Sequence, residues 1–224
     1  MNSCVLCENP LEEKLKFCDL LTLKKPKARA CDACFEKFQR ISAQHCPKCY
    51  REGICEVCMD CQVWIKKGKE VCHKSCFMYN EAMKDFFSQY KFQGDYALYS
   101  VFAEVLQKEL KVYRDYALVP IPVSAEKYQT RGFNQVTALL EGAKLPFKEV
   151  LEKHDTIAQS SKTREERLQS QQCFKVKDNV QVPTKVLLID DIYTTGSTLN
   201  ECANALIQKG IKREQIGVLT LAKD

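Results

Sequence analysis

Four apolar residues, Val186, Leu187, Leu188 and Ile189, run without interruption into two carboxylates, Asp190 and Asp191, and then into the string Tyr193, Thr194, Thr195, Gly196, Ser197 and Thr198. A run this short, β-branched at both ends, suits a strand buried on both faces of a parallel sheet. From Thr198 onward Leu199, Cys202, Ala203, Leu206 and Ile207 recur at helical spacing, and Gly210 stands where a helix C-cap belongs. The pattern therefore predicts strand, loop and helix in succession. The same alternation appears upstream. Residues 117 to 123 (ALVPIPV) read as a first parallel strand ending in proline-fixed turns, followed by Arg131, Gly132, Phe133, Asn134 and Gln135 and a helix through Leu139 and Leu140. A helical stretch is predicted over 81 to 112 with a break near Gly94, and a last strand over 216 to 222. Strands alternating with helices specify an α/β fold: a parallel sheet with helices on both faces.

Cysteine changes this picture for the first third of the chain. Twelve of the fourteen cysteines precede residue 77, which places a small Cys-rich domain at 1 to 76 and the α/β domain at 77 to 224. The N-terminus offers no apolar signal region and no apolar run approaches membrane-spanning length, so a cytoplasmic protein is expected and the cysteines point to metal rather than disulfides. Four pairs have knuckle spacing: Cys4 with Cys7, Cys31 with Cys34, Cys46 with Cys49, and Cys58 with Cys61. Two such turns complete a tetrahedral Zn²⁺ site with no open position, which makes the sites structural. Pairing consecutive turns closes shorter loops. The crossed scheme, first turn with third and second with fourth, satisfies the same ligand count, and Cys55 with Cys58 offers a competing register. Cys173 and Cys202 read as small core residues.

The formal net charge is +5. Two Zn²⁺ held by eight thiolates lower it to about +1, so any nucleic-acid binding must come from local patches. Trp64 with Lys66, Lys67 and Lys69 combines a stacking face with cations, as single-stranded nucleic acid requires. Phe86, Phe87, Tyr90, Lys91 and Phe92 form a second candidate, although the helical spacing of its rings also suits a core face. Lys162, Arg164 and Arg167 form a third.

The 190 to 198 string carries the chemistry. Hydroxyls and backbone N–H groups at a helix N-terminus favour a phosphate, and Gly196 permits close approach. Asp190 and Asp191 would repel that phosphate but can accept hydrogen bonds from sugar hydroxyls at the carboxyl end of the strand. A ribose bearing a 5′-phosphate satisfies both halves. No Walker-type Gly-Lys-Ser/Thr is present.

This string resembles the 5-phosphoribosyl 1-pyrophosphate (PRPP) loop of type I phosphoribosyltransferases. The resemblance implies that Asp190 and Asp191 meet the ribose 2′- and 3′-hydroxyls, that residues 194 to 198 hold the 5′-phosphate, and that Mg²⁺ accompanies PRPP. It also implies that the loop at 124 to 131, with Lys127 and Arg131, holds pyrophosphate. The polar stretch 158 to 172, with Lys162 and Arg164, would then be a flap rather than a plain linker. The CxxC-rich N-terminus, Lys91-Phe92 followed by Gly94 and Asp95, ALVPIPV, RGFNQ and LLIDDIYTTGST together resemble the ComF family, in particular ComFC-type late competence proteins, over nearly the whole chain. That resemblance implies a DNA-uptake factor of natural transformation. Such a factor handles incoming single-stranded DNA in the cytoplasm, at the inner face of the membrane, beside a DNA-translocating helicase of the ComFA type. The alternative is an active phosphoribosyltransferase that transfers phosphoribosyl from PRPP to a base, an amine or DNA. The sequence ends at Asp224, directly after the last predicted strand, and no base-holding residue can be named, so catalysis is left open.

Overall fold

The computed structural model describes residues 3–11, 30–69, 72–92, 96–154 and 173–224. In chain order these form helices α1 (Asp32–Phe35) and α2 (Met59–Lys66), strand β1 (Cys72–Met78), helices α3 (Glu81–Phe92) and α4 (Ala103–Glu109) and strand β2 (Ala117–Pro120). There follow helices α5 (Ala125–Arg131) and α6 (Gln135–Gly142), strands β3 (Leu151–Lys153), β4 (Phe174–Val176) and β5 (Val186–Tyr193), helix α7 (Ser197–Gln208) and strand β6 (Ile216–Lys223). The architecture is α/β. A four-stranded, all-parallel sheet has the order β1-β6-β5-β2, and β3 and β4 form a separate antiparallel pair.

Alternation along β5 explains why that strand is apolar throughout. Leu187 and Ile189 enter a core on the face of the sheet covered by α3, α4 and α6, together with Leu219 and Leu221 of β6. Val186 and Leu188 enter a second core on the α7 face, with Ile216 and Val218 of β6. Each residue needs an apolar neighbour because both faces are covered. In the first core Phe102 lies 4.9 Å from both Phe38 and Phe86 and 5.3 Å from Phe77, centroid to centroid.

The Cys-rich segment is divided between these faces. Val5, Leu6, Ala30 and Phe35 pack against the α3–α6 core, whereas Cys46, Cys49, Cys58 and Cys61 belong to the core on the α7 side. The boundary expected at 76 falls inside β1, which hydrogen-bonds to β6 from Cys72 to Met78. Both sheet edges are covered. Residues 39 to 41 run beside β1, through Met78 N–H to the Gln39 carbonyl at 2.9 Å, and Lys148 N–H donates to the Leu118 carbonyl of β2 at 2.9 Å. Such cover removes the pairing surface of an open edge.

Three predicted elements differ in extent or kind, and β1, β3 and β4 were not predicted. The strand predicted over 186 to 189 continues to Tyr193, because Asp190 and Ile192 stay in register with Thr220 and Ala222 of β6. The strand predicted over 117 to 123 stops at Pro120, where Pro120 and Pro122 supply no N–H for further ladder bonds. Residues 124 to 131, expected as a loop, form α5: the Ser124 hydroxyl accepts from Lys127 N–H as an N-cap and Gly132 (φ 79°) ends the helix in the left-handed region. The predicted helical stretch 81 to 112 is realised as α3 and α4 separated by the 3₁₀ turn Tyr96–Ser100. The stretch 158 to 172, with Lys162, Arg164 and Arg167, lies outside the described residues, as does Cys18.

Candidate functional site

The carboxyl end of β5 carries Asp190 and Asp191 as a directly interacting pair: Asp190 Oδ1 accepts from Asp191 N–H at 2.9 Å, and the two carboxyls are in side-chain contact. Asp191 is buried on the α3–α6 face. There its Oδ2 accepts from Lys91 Nζ of α3 at 2.7 Å and from Gln135 Nε2 at 2.9 Å, and its Oδ1 accepts from Ile192 N–H at 2.6 Å. Gln135 is held in turn: its Oε1 accepts from Arg131 Nη1 at 2.9 Å and its carbonyl accepts from Tyr90 OH at 2.8 Å. The chain Lys91–Asp191–Gln135–Arg131 thus joins α3, β5, α6 and the end of α5.

Asp190 is partly buried on the α7 side. Burial, and then the neighbouring Asp191 charge, push its carboxyl up to about 8. Burial, followed by the Asp190 charge, raises the Cys202 thiol of α7 as well. A carboxyl raised in this way is poised to give up its proton when hydrogen-bond donors approach, because donors favour the ionised form.

After Tyr193 the chain turns sharply. Gly196 takes φ 79° and caps α7, and a Cβ there would collide with the Tyr193 ring, Cζ at 2.7 Å, so only glycine fits. The turn is braced from behind: Asn200 N–H and Asn200 Nδ2 both reach the Gly196 carbonyl, at 2.9 and 3.0 Å. Thr194, Thr195, Ser197 and Thr198 are exposed around a buried Gly196. The twelve-residue α7 begins at Ser197, whose N–H donates to Thr195 Oγ1 at 3.4 Å, so the exposed hydroxyls stand at a helix N-terminus, a position that favours an anion. Lys127, on α5, is exposed at the other side of the β2–β5 end. Next to α5 lies a cleft of about 450 Å³ whose lining includes Pro120, Pro122, Tyr128, Asn134, Leu151 and Lys153.

The cysteines form two tetrads, Cys4–Cys7–Cys31–Cys34 and Cys46–Cys49–Cys58–Cys61, each with its four sulfurs within 4.8 Å of one another. This is the consecutive pairing, with Cys58 paired to Cys61; Cys55 is exposed and belongs to neither group. The donor chemistry fits zinc. Cys4 Sγ accepts from the N–H groups of Cys31 at 3.2 Å and Leu6 at 3.4 Å, and Cys46 Sγ from Cys58 N–H at 3.4 Å. Burial raises both thiols, but these backbone donors outweigh it and bring each to about 6. Among the neighbouring sulfurs Cys49 is raised to about 11, by burial first, and a Zn²⁺ among the four would favour the thiolate form of all of them. The two groups could each hold one Zn²⁺, which would tie α1 and α2 to the knuckles that precede them. Cys72, His73 and Cys76 are not among the ligand groups of the described residues. His73 is instead buried on β1, bonds Thr220 Oγ1 through Nε2 at 2.9 Å and stacks on Tyr193 at 4.2 Å, and burial lowers it to about 3.

Phe86, Phe87 and Tyr90 are core residues, and Lys91 is spent on Asp191, so the second aromatic-basic string is not a surface patch. On α2 and just beyond it, Lys66, Lys67 and Lys69 are exposed, and Trp64 is half-buried with Lys67 Nζ 5.6 Å from its ring centroid. Among the described residues no helix is long and apolar enough to cross a membrane.

Sequence reasoning did not identify the partners of Asp191, because Lys91 and Gln135 stand 100 and 56 positions away on other elements. The only signal was that both fall within strings, Lys91-Phe92 and RGFNQ, that carried the family resemblance.

No protein-family model matches the chain. It is 46% identical over 209 residues to competence protein ComFC of Streptococcus pneumoniae, covering 93% of this chain and 95% of that protein. It is 35% identical over 228 residues to competence protein ComFC of Bacillus subtilis, covering 98% and 94%. Competence protein F of Haemophilus influenzae is 26% identical over 208 residues, covering 86% and 84%. Identity of this extent with two ComFC proteins, together with the parallel sheet and paired cysteine tetrads, shows that the chain belongs to the ComFC family of competence proteins.

Proposed function

We propose that the protein acts in natural competence by handling incoming single-stranded DNA, and that the end of β5 is a pocket for a ribose 5-phosphate, in PRPP or a related nucleotide. The observation that carries the pocket is the glycine turn at Gly196, which follows two strand-end carboxylates directly and opens the twelve-residue α7. One end suits sugar hydroxyls and the other a phosphate, as argued from chemistry alone. Mg²⁺ would arrive with a pyrophosphate-bearing ligand, and Lys127 and Arg131, with Lys162 and Arg164 beyond the described residues, are the cations proposed to face it. The exposed lysines near Trp64 lie beside the same loop and are the proposed DNA contacts. The family relationship supports a place beside a DNA-translocating helicase of the ComFA type, on the cytoplasmic side of the membrane.

The test is Thr198→Glu in the chromosomal copy. A carboxylate in the first turn of α7 stabilises the helix through its dipole while repelling a phosphate. Folding should therefore be retained, and transformation frequency should fall at least tenfold. Normal transformation would refute the pocket's role.

A second reading, phosphoribosyl transfer, is favoured by the cleft of about 450 Å³ beside α5, which falls in the range of small-molecule sites and could admit an acceptor. In that reaction C1′ of PRPP loses pyrophosphate, gains the acceptor nitrogen or oxygen, and the acceptor's proton leaves to solvent. Acceptor-dependent pyrophosphate release would establish it, and binding without release would leave the first reading.

A further inference from the structure

We propose that Trp64, on the helix of the second cysteine tetrad, is a positioning residue for the phosphate loop: its indole N–H fixes the peptide plane between Thr195 and Gly196 and thereby aims the Gly196 N–H at the 5′-phosphate. This deepens the ribose 5-phosphate reading and rests on it.

Trp64 Nε1 donates to the Thr195 carbonyl at 3.1 Å, a bond that spans 131 positions of sequence. The placement of the indole is not accidental to the tetrad. Cys58 is the N-cap of α2 and Cys61 lies on the same helix, so the tetrad sets where α2 sits. Lys69 N–H closes the end of that helix on the Trp64 carbonyl at 3.0 Å.

A peptide unit is planar and trans, so its carbonyl and its N–H point in opposite directions. Turning the Thr195 carbonyl toward Trp64 turns the Gly196 N–H away from α2. The next carbonyl, that of Gly196, is held by Asn200, and the Tyr193 ring backs the glycine. Consecutive carbonyls are thus fixed by different elements; the Ser197 N–H donates to Thr195 Oγ1 at 3.4 Å, and the Gly196 N–H between the two carbonyls is the donor proposed for the ligand. A small cavity of about 20 Å³ beside Trp64, lined also by Cys61, Lys69, Tyr193 and Asn200, leaves roughly the room for one water molecule between α2 and the residues that flank the loop. The loop is therefore packed against the tetrad helix rather than free beside it. A phosphate loop whose carbonyl plane is set by another part of the chain is organised before the ligand arrives, which reduces the ordering cost of binding.

The experiment compares the intact wild-type chain with Trp64→Phe, which removes the N–H and keeps an aromatic ring, and with Val63→Ala, which trims an exposed side chain of the same helix and keeps the N–H. Amide exchange at residues 194 to 200 should quicken about fivefold in Trp64→Phe, the worth of one net hydrogen bond, with exchange elsewhere and zinc content unchanged. Calorimetric affinity for ribose 5-phosphate should weaken by about the same factor. Val63→Ala should move neither readout. Unchanged exchange at 194 to 200 in Trp64→Phe overturns the proposal, as does an unchanged affinity where the wild type binds. A wild type that binds no ribose 5-phosphate refutes the pocket itself, and the exchange comparison then decides by itself whether Trp64 holds the loop. Trp64 is the chain's single tryptophan, so wild-type emission gives a readout that does not depend on a variant folding. Its emission should shift as ribose 5-phosphate saturates, and constant emission at calorimetric saturation counts against the proposal.

Discussion

Replacing Lys91 by Met keeps the length of the side chain and most of its packing on Phe87, whose ring centroid lies 4.5 Å from Nζ, but removes the cation that faces Asp191. The ion pair is short, 2.7 Å, with side-chain exposures of 14% and 8%. Loss of one partner of a buried pair typically costs 3–5 kcal/mol, because the other charge is left uncompensated. Here Asp191 retains the N–H donors of Gln135 and Ile192, so the lower end applies, about 3 kcal/mol. For a chain of this size that corresponds to a fall in Tm of about 6–12 °C. Adding Asp191→Asn to Lys91→Met removes the stranded charge, and the double variant should recover about 2 kcal/mol of the loss. The assay is urea unfolding of wild type, both single variants and the double variant, repeated at low and high salt, since a buried pair is weakly screened. A loss below about 1 kcal/mol for Lys91→Met, the value of an exposed pair, or strict additivity of the two substitutions, would refute the description of Lys91–Asp191 as a buried, coupled pair.

Other substitutions probe the remaining parts of the site. Cys31→Ala should lower bound zinc from two ions per chain to one by elemental analysis and loosen the segment carrying α1; a folded chain that still binds two ions would contradict the tetrad. Gly196→Ala should cost about 1–3 kcal/mol through a non-glycine residue at positive φ and through its collision with Tyr193, and unfolding curves matching wild type would count against the turn as described. The pH dependence of stability tests Asp190, whose folded-state value of about 8 lies above the ordinary 3.8. Between those two values the folded chain holds a proton that the unfolded chain has released, so this group's contribution to stability is complete below about pH 4 and is lost as pH rises toward 8. Asp190→Asn should therefore gain stability relative to wild type as pH increases through that window, and parallel curves would disprove the shift.

The α/β class, the succession β2, α6, β5, α7 and β6 and the two tetrads were legible because each has a local signature, whereas β1, an edge strand of the main sheet, and the β3–β4 pair were not predicted. A fully apolar run such as 186 to 189 requires two covered faces, and the CxxC turns fix their own geometry. What was not legible depends on contacts between distant segments. Asp190 and Asp191 look like equivalent neighbours in sequence, yet only Asp191 is bonded by Lys91 and Gln135, while burial and the neighbouring Asp191 raise Asp190. Residues 124 to 131 looked like a loop because the preceding prolines mark a turn, whereas the Ser124 cap and the Gly132 terminus enclose a two-turn helix. Trp64 looked like a free stacking surface because nothing local connects it to Thr195, and the aromatic string at 86 to 90 is buried because α3 lies on the sheet with that face inward.

Binding of a ribose 5-phosphate by the turn at Gly196 and the end of β5 is the proposal on which the other assignments of the site depend. Calorimetric titration of Mg²⁺ and PRPP into the wild type and into Thr198→Glu tests it most directly, because the substitution blocks the phosphate without removing a structural contact shown here. Saturable binding to the wild type is expected, and none to a Thr198→Glu protein that is folded and at least as stable. No binding to the wild type, or equal binding to both, would contradict it.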